Sequence, residues 1–157
     1  LEVYAANGDT APRFIRSLPI LAASGALGPK LKQGDMQVPE GLYRIESLNP
    51  NSAFHLSLRI NYPNAEDRTQ ARHDRRTDLG GDIMIHGNRV SIGCLAMGDQ
   101  AAEDLFTLAA DTKLSGLSVI LSPVDFRKRS LPLDYSPADW VSRRYDRIRE
   151  ALLALSN

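Results

Sequence analysis

The chain has 157 residues, in which 19 lysine and arginine residues balance 19 aspartate and glutamate residues. This length suits one domain that buries roughly two-thirds of its unfolded surface, and we predict a single domain over residues 1–157. Balanced charge argues against a general polyanion-binding role, because nucleic-acid-binding domains carry a basic excess. No apolar run approaches the roughly 18 residues that a transmembrane helix needs. The single cysteine excludes an intramolecular disulfide and a cysteine-based metal cluster.

The N-terminal residues predict a pair of strands. Residues 1–4 form a short strand, and a turn signal at 7–9 separates them from a second strand at 14–21. Pro19 would place the second strand at a sheet edge or a bulge, because proline cannot donate a hydrogen bond to the ladder.

Two further strands are expected in the middle of the chain. Residues 41–45 and 54–60 alternate apolar with polar side chains, which is the period of a half-buried strand. The intervening Asn49-Pro50-Asn51-Ser52 is typical of a turn. Residues 61–81 are polar, charged and irregular, with room for one helical turn around 65–71. A segment of this kind is often a lid or a substrate-facing loop.

The second half of the chain adds two helices. Residues 83–85 and 117–121 are expected strands, and Asp99 is the expected N-cap of a helix over 100–112. The tail, 138–155, predicts an amphipathic helix whose large apolar residues share one side: Trp140, Tyr145, Ile148 and Leu152. The sequence therefore predicts a mainly β domain with two helices, in the α+β class, and it leaves barrel and sandwich arrangements open.

The chemistry of the chain is concentrated between His86 and Cys94. A His86-Gly87 pair at the end of a predicted strand is followed by a short spacer and then by Ser91-Ile92-Gly93-Cys94. A thiol with an ordinary pKa of about 8.5 becomes a useful nucleophile when a neighbouring imidazole or oriented backbone dipoles favour the thiolate. Cys94 and His86 are therefore expected to act as nucleophile and base.

Each of these residues also has a simpler interpretation. A free cysteine is most often a small buried apolar residue, and a lone histidine is most often structural. A serine before a glycine is common turn chemistry, so Ser91 stands between a catalytic and a local role. The joint pattern favours catalysis for the cysteine and histidine pair. The three histidines lack the spacing of a zinc site, so we expect no metal and no cofactor.

This stretch resembles the active-site signature of the L,D-transpeptidase catalytic domain family, whose members act on bacterial peptidoglycan through a cysteine acyl-enzyme. The family pattern is a His-Gly pair, a variable spacer and then Ser/Thr-His-Gly-Cys. Four residues of this chain match it: His86, Ser91, Gly93 and Cys94. The likeness runs from about residue 18 to 125 and includes Pro39-Glu40-Gly41-Leu42-Tyr43.

Three departures from the pattern point to one branch of that family. The spacer is short, Ile92 replaces the second histidine, and Ala96 replaces the usual arginine or asparagine two residues after the cysteine. These features are similar to the Gram-negative periplasmic branch that includes the amidase releasing the outer-membrane (Braun) lipoprotein from peptidoglycan. The resemblance therefore implies a periplasmic location, with the export signal outside this chain.

The resemblance also implies an L,D-transpeptidase-like β-sandwich or barrel and a mechanism. Cys94 would attack an amide carbonyl at the L-centre of diaminopimelate in a peptidoglycan stem peptide, while His86 takes the thiol proton and later returns it to the departing amine. Backbone N–H groups around Gly93 and Cys94 are candidate oxyanion donors, and Ser91 would orient the loop or the histidine. Water as acceptor gives the amidase reaction, and an amine gives transpeptidation.

Substrate binding is expected to involve residues outside the Ser-x-Gly-Cys stretch. Arginine grips carboxylates bidentately, so Arg72 and Arg75 are candidates for binding the stem peptide. Gly87, Tyr62 and Asn64 are further candidates, through the family likeness alone. The expected partners are peptidoglycan stem peptides and the peptidoglycan-linked lipoprotein, with no nucleic acid.

Two other classes of protein stay open at this point. A non-catalytic peptidoglycan-binding module with the same fold is compatible with the departures at Ile92 and Ala96. An unrelated thiol peptidase is the third interpretation, and Pro39-Glu40-Gly41 disfavours it because that stretch matches the transpeptidase family.

Overall fold

The computed structural model describes residues 1–155, which form a mixed β-sheet flanked by helices. A small antiparallel pair, β1 (Glu2–Ala5) and β2 (Arg13–Ser17), precedes the main sheet and confirms the predicted N-terminal strand pair, with β2 ending before Pro19. The main sheet has six strands: β3 (Ala22–Ala23), β4 (Gly41–Ser52), β5 (His55–Ile60), β6 (Met84–His86), β7 (Leu95–Ala96) and β8 (Ser118–Leu121). Their order is β3-β7-β6-β5-β4-β8, and β6 and β7 are parallel while the other neighbours are antiparallel.

Three α-helices accompany the sheet: α1 (Ala65–His73), α2 (Asp99–Asp111) and α3 (Asp139–Ala154). The α+β class is confirmed, but the prediction of only two helices was wrong, because the helical turn expected around 65–71 is a helix of nine residues. The Asn64 side chain accepts a hydrogen bond from the Asp67 N–H, and the Asp67 carboxylate accepts one from the Asn64 N–H. This reciprocal capping box starts α1 although the helix buries only Asp67 and Ala71 and so has no apolar stripe.

The turn between β4 and β5 lies later than predicted. β4 continues through Ser52, and the turn consists of Ala53 and Phe54. The register of the two strands shifts between Asn49 and Ser52, where a bulge accommodates Pro50, a residue without an N–H to give to the ladder. The displaced turn brings Phe54 to the end of β6.

Asp99 does not cap α2 as the sequence predicted. Gly98 is the N-cap residue, with φ of 78°, and no side chain bonds the first turn of the helix. The Asp99 carboxylate instead accepts a 2.7 Å hydrogen bond from the Asn88 N–H. It therefore ties the loop between His86 and Cys94 to the start of α2.

The core has two parts. In the first, the sheet packs on α2 through Ala101, Leu105 and Ala109. The second lies under α3 and contains Phe126, Val141, Tyr145, Ile148 and Leu152, with Trp140 packed against it. This second cluster confirms the amphipathic tail helix predicted for 138–155. No helix within residues 1–155 is long and apolar enough to cross a membrane.

The strand register separates an apolar face of the sheet from a polar one. Leu58, Ile85 and Leu95 are aligned across β5, β6 and β7, and all three are buried in the α2 core. Side chains alternate along a strand, so the residues on either side of them project to the opposite face. On β5 and β6 these are Ser57, Arg59, Met84 and His86.

Candidate active site

His86 is the last residue of β6, and a backbone carbonyl fixes its ring. Its Nδ1 lies 2.6 Å from the Gly87 carbonyl oxygen. A carbonyl oxygen only accepts hydrogen bonds, so Nδ1 carries a proton and Nε2 keeps the lone pair in the neutral ring. The residue is 2 % exposed, and the Phe54 ring lies against it with 4.8 Å between the ring centroids. The imidazole is therefore held in one orientation with Nε2 as the proton acceptor.

Gly87 is required by packing at this point. A Cβ there would lie 2.7 Å from Asp99 Oδ1 and 2.8 Å from the Phe54 carbonyl oxygen, closer than real Cβ atoms approach. The Gly87 N–H donates to the Leu56 carbonyl, and its own carbonyl orients His86. Gly87 was predicted to bind substrate; the structure buries it and gives it this orienting contact.

Cys94 lies directly before β7 and is half-buried. The Met84 N–H points at its Sγ over 3.4 Å, and the thiol donates to the Asp82 carbonyl oxygen over 3.5 Å. Burial raises the pKa of the Cys94 thiol above its ordinary value; the Met84 N–H opposes the shift and the Asp82 carboxylate adds to it. Cys94 therefore rests as a neutral thiol near pH 7, and its activation needs a base.

The parallel pairing of β6 with β7 brings Cys94, which directly precedes β7, alongside the strand that ends at His86. His86 lies opposite Ala96, and the Cys94 sulfur lies beside Met84, two positions before His86 on β6. Residues two apart on a strand share a face, so His86 projects from the same face as Met84. The sulfur therefore lies beside the first residue of β6, and the imidazole is on the last residue of the same strand.

Serine hydroxyls hold the loop that carries Gly93 and Cys94. The Cys94 N–H donates to Ser91 Oγ over 3.0 Å, and the Gly93 N–H donates to Ser24 Oγ over 2.6 Å. Ser24 in turn donates to the Met36 carbonyl oxygen. The φ of +80° at Gly93 is a left-handed conformation that favours glycine. Ser91 therefore orients the loop, and both predicted oxyanion donors already have hydroxyl acceptors.

The two substitutions in the signature have different surroundings. Ile92 projects from the loop and is 76 % exposed. Ala96 is completely buried between Ala22 on β3 and His86 on β6. A long basic side chain has no room at this completely buried position, so packing accounts for the small residue.

Sequence reasoning missed a buried ion pair near the thiol. Lys30 Nζ lies 2.6 Å from Asp35 Oδ1, and both side chains are largely buried. Burial disfavours the charged carboxyl, but Lys30 and the N–H groups of Lys32, Leu31 and Gln37 together lower the pKa of Asp35. The positive charge of Lys30 also favours the thiolate form of Cys94, as the smallest contribution to that pKa.

The other predicted substrate-binding residues have structural contacts. Arg72 lies in the last turn of α1 and donates to Thr69 on the same helix, and Arg75 is exposed just beyond it with φ of 58°. Tyr62 is buried, and its hydroxyl donates to the Leu79 carbonyl. Asn64 caps α1 and donates to the Leu42 carbonyl.

A polar cavity of about 310 Å³ lies where the chain enters β6. Its walls are residues 61–65, the Gly80-Gly81 pair, and the side chains of Glu46, Arg59 and Arg68. Asp82, whose carbonyl contacts the Cys94 thiol, directly follows this wall. Within residues 1–155, no group of histidine, cysteine and acidic residues is arranged to hold a metal ion.

Comparisons with known proteins show which family the chain belongs to. Residues 3–124 match the L,D-transpeptidase catalytic domain family, YkuD. Over 130 residues the chain is 36% identical to YafK from Escherichia coli (strain K12), a protein provisionally named as an L,D-transpeptidase; the match covers 81% of this chain and 50% of YafK. The chain belongs to the L,D-transpeptidase catalytic domain family, and it spans about half the length of the curated relatives it matches.

A solved structure shows the same fold. The helical cell shape determining protein Pgp2 from Campylobacter jejuni aligns with a TM-score of 0.57 at 24% sequence identity, over 76% of this chain and 42% of that one. The family resemblance predicted from the loop around Cys94 and the predicted fold class are thus confirmed. α3 follows the region that matches the family.

Proposed function

We propose that this chain is a catalytic domain that cleaves or exchanges an amide at the L-centre of diaminopimelate in peptidoglycan stem peptides, through a Cys94 acyl-enzyme. Family membership supports the substrate class. The main structural support for the cysteine mechanism is the contact between His86 Nδ1 and the Gly87 carbonyl. This contact leaves Nε2 as a proton acceptor on the strand next to the thiol.

The reaction follows from these groups. His86 Nε2 takes the proton of the neutral Cys94 thiol as Sγ bonds to the amide carbonyl carbon. The Gly87 carbonyl stabilises the imidazolium by accepting its Nδ1–H. Collapse of the tetrahedral intermediate breaks the C–N bond, and the amine leaves with the proton from Nε2. Water or an amine, deprotonated by His86, then attacks the thioester and releases the thiol.

The developing oxyanion needs donors aimed at it. The N–H groups of Cys94 and Gly93 are the candidate donors on the loop that carries the sulfur, and each now meets a serine hydroxyl. A hydroxyl both donates and accepts, so Ser91 or Ser24 can turn towards the substrate when the oxyanion takes its place. We therefore expect these N–H groups to turn from the serine hydroxyls to the oxyanion only when substrate is bound.

We favour water as the acceptor, which gives hydrolysis of the bond between the lipoprotein and the stem peptide. The short spacer between His86 and Ser91, with Ile92 and Ala96, is similar to the branch that contains the lipoprotein-releasing amidase. The substrate places the enzyme in the periplasm. Peptidoglycan bearing covalently attached lipoprotein separates the two reactions: released lipoprotein supports the amidase, and new diaminopimelate–diaminopimelate crosslinks support the transpeptidase.

A non-catalytic peptidoglycan-binding module is the competing function, and the satisfied N–H groups of the nucleophile loop favour it. A carbapenem distinguishes the two, because it acylates an activated thiol. Mass spectrometry should show a covalent adduct on Cys94 that is lost in His86→Ala. An unlabelled wild-type protein that still binds peptidoglycan would support the binding module.

A further inference from the structure

Arg59 carries a buried donor without a hydrogen bond. Its Nε is the one such side-chain atom found within residues 1–155. This Nε lies 3.1 Å from Glu46 Oε2, and Nη1 lies 3.0 Å from Asp82 Oδ1, so the guanidinium lies between two carboxylates. The direction of the Glu46 contact leaves the Nε–H unsatisfied. A buried unsatisfied donor is costly to folding and calls for a functional explanation.

Arg59 and the Cys94 sulfur lie on opposite sides of β6, both next to Met84. Arg59 lies opposite Met84 in the β5–β6 register, and the Met84 N–H points at the Cys94 sulfur. Two strand spacings, about 10 Å, separate the β5 and β7 backbones. The distance suits a substrate whose reacting carbonyl is at Cys94 and whose side chain crosses β6.

The surroundings of Arg59 present both charges to one cavity. Arg59 and Glu46 both line the cavity of about 310 Å³, and their side chains are 40% and 55% exposed. The part of the Arg59 guanidinium that is exposed to the cavity offers N–H donors in a planar arrangement that matches a carboxylate. A ligand with a carboxylate and an ammonium on one carbon would meet a complementary charge for each group.

We propose that Arg59 and Glu46 form a subsite for the free D-centre of the diaminopimelyl side chain, with the carboxylate on Arg59 and the ammonium on Glu46. The inference rests on the proposed function, because attack at the L-centre places the D-centre at the far end of the same side chain. A lysine at that position of the stem peptide has the ammonium but not the carboxylate. The subsite therefore selects diaminopimelate over lysine.

The test compares two synthetic stem peptides that differ only in diaminopimelate or lysine at the cleaved residue. We expect the wild-type kcat/KM to favour diaminopimelate by about 10- to 100-fold, the scale of a hydrogen bond between charged groups. Arg59→Met should reduce turnover of the diaminopimelyl peptide to the lysyl level and leave the lysyl peptide unchanged. Arg143→Met, which changes an exposed arginine of α3 outside this cavity, should keep the wild-type ratio.

The outcomes separate this inference from the proposed function. Equal wild-type kcat/KM for the two peptides, or an equal loss on both in Arg59→Met, would overturn the subsite and leave the enzyme assignment intact. No turnover of either peptide by the wild type would overturn both. If Arg59→Met fails to fold, a wild-type comparison with a peptide amidated at the D-centre carboxylate decides instead: an undiminished kcat/KM would contradict the proposal. Iodoacetamide labelling of Cys94 in Arg59→Met checks that the thiol itself is unchanged.

Discussion

The carbonyl oxygen of Gly87 lies 2.6 Å from Nδ1 of His86, and this one contact decides which ring nitrogen accepts a proton. The carbonyl belongs to a glycine that no larger residue can replace without meeting Asp99 and Phe54. The turn between β4 and β5 and the start of α2 therefore both determine how the His86 imidazole is held.

Replacing His86 with glutamine should remove the base and keep the fold. General base catalysis contributes typically 10²–10⁴-fold, so kcat/KM on a diaminopimelyl stem peptide should fall by about that factor. His55→Gln is the matched control, because His55 is exposed and pairs with Glu103 over 2.7 Å. Steady-state kinetics on the two variants would contradict the account if both lost activity equally.

The Cys94 thiol should ionise above its ordinary pKa of about 8.5. The rate of alkylation by iodoacetamide follows the thiolate, so it should rise with pH and reach half its maximum above that value. Asp82→Asn should move the midpoint downwards, because the Asp82 carboxylate raises this pKa. Asp9→Asn, in an exposed loop, should leave the midpoint in place. A wild-type midpoint below about 7 would indicate a preformed thiolate and contradict the neutral thiol.

Gly87→Ala should destabilise the protein and impair catalysis. The added Cβ would overlap Asp99 Oδ1 and the Phe54 carbonyl, and overpacking of this kind typically costs about 1–3 kcal/mol. Urea unfolding measures the loss of unfolding free energy. Gly116→Ala is the matched control, because a Cβ there meets nothing within 4 Å, and its stability should stay within about 0.5 kcal/mol of wild type. Equal stability of the two variants would refute the packing argument.

Glu40 should make the stability depend on pH. Burial raises its pKa, although the Tyr145 hydroxyl, the Gly28 N–H and the charge of Arg144 oppose the shift. The folded state therefore holds a proton more tightly than the unfolded chain. The stabilisation is fully present below the ordinary pKa of about 4.3 and is lost as pH rises through the raised pKa.

Glu40→Gln removes this titration, so the difference in unfolding free energy between wild type and variant should change across that pH window. Glu150 is an exposed residue of α3, and the unfolding free energy of Glu150→Gln should change with pH in parallel with that of wild type. Denaturant unfolding between pH 4 and pH 8 provides the measurement. A wild-type curve that stays parallel to Glu40→Gln would contradict the raised pKa.

The sequence was most informative where function is local. His86, Ser91, Gly93 and Cys94 lie within nine residues, and their order and spacing carry the family signature. The tail helix was also predictable, because Tyr145, Ile148 and Leu152 repeat at helical spacing.

The features that were not predicted from the sequence depend on long-range contacts or on local capping. Ser24 reaches Gly93 across 69 positions of the chain, and no local pattern marks that contact. Arg59 meets Glu46 and Asp82 only through the strand register. The helix α1 has no apolar periodicity, although its capping box, which begins at Asn64, was readable in principle.

The most direct test of the central claim compares wild type with Cys94→Ala on purified muropeptides, with products resolved by mass spectrometry. The account predicts that wild type cleaves or exchanges the amide at the diaminopimelate L-centre, and that a trapped thioester maps to the peptide containing Cys94. Cys94→Ala, which removes only the sulfur from a half-buried site, should leave the muropeptides unchanged. Identical product profiles from the two proteins would contradict the account.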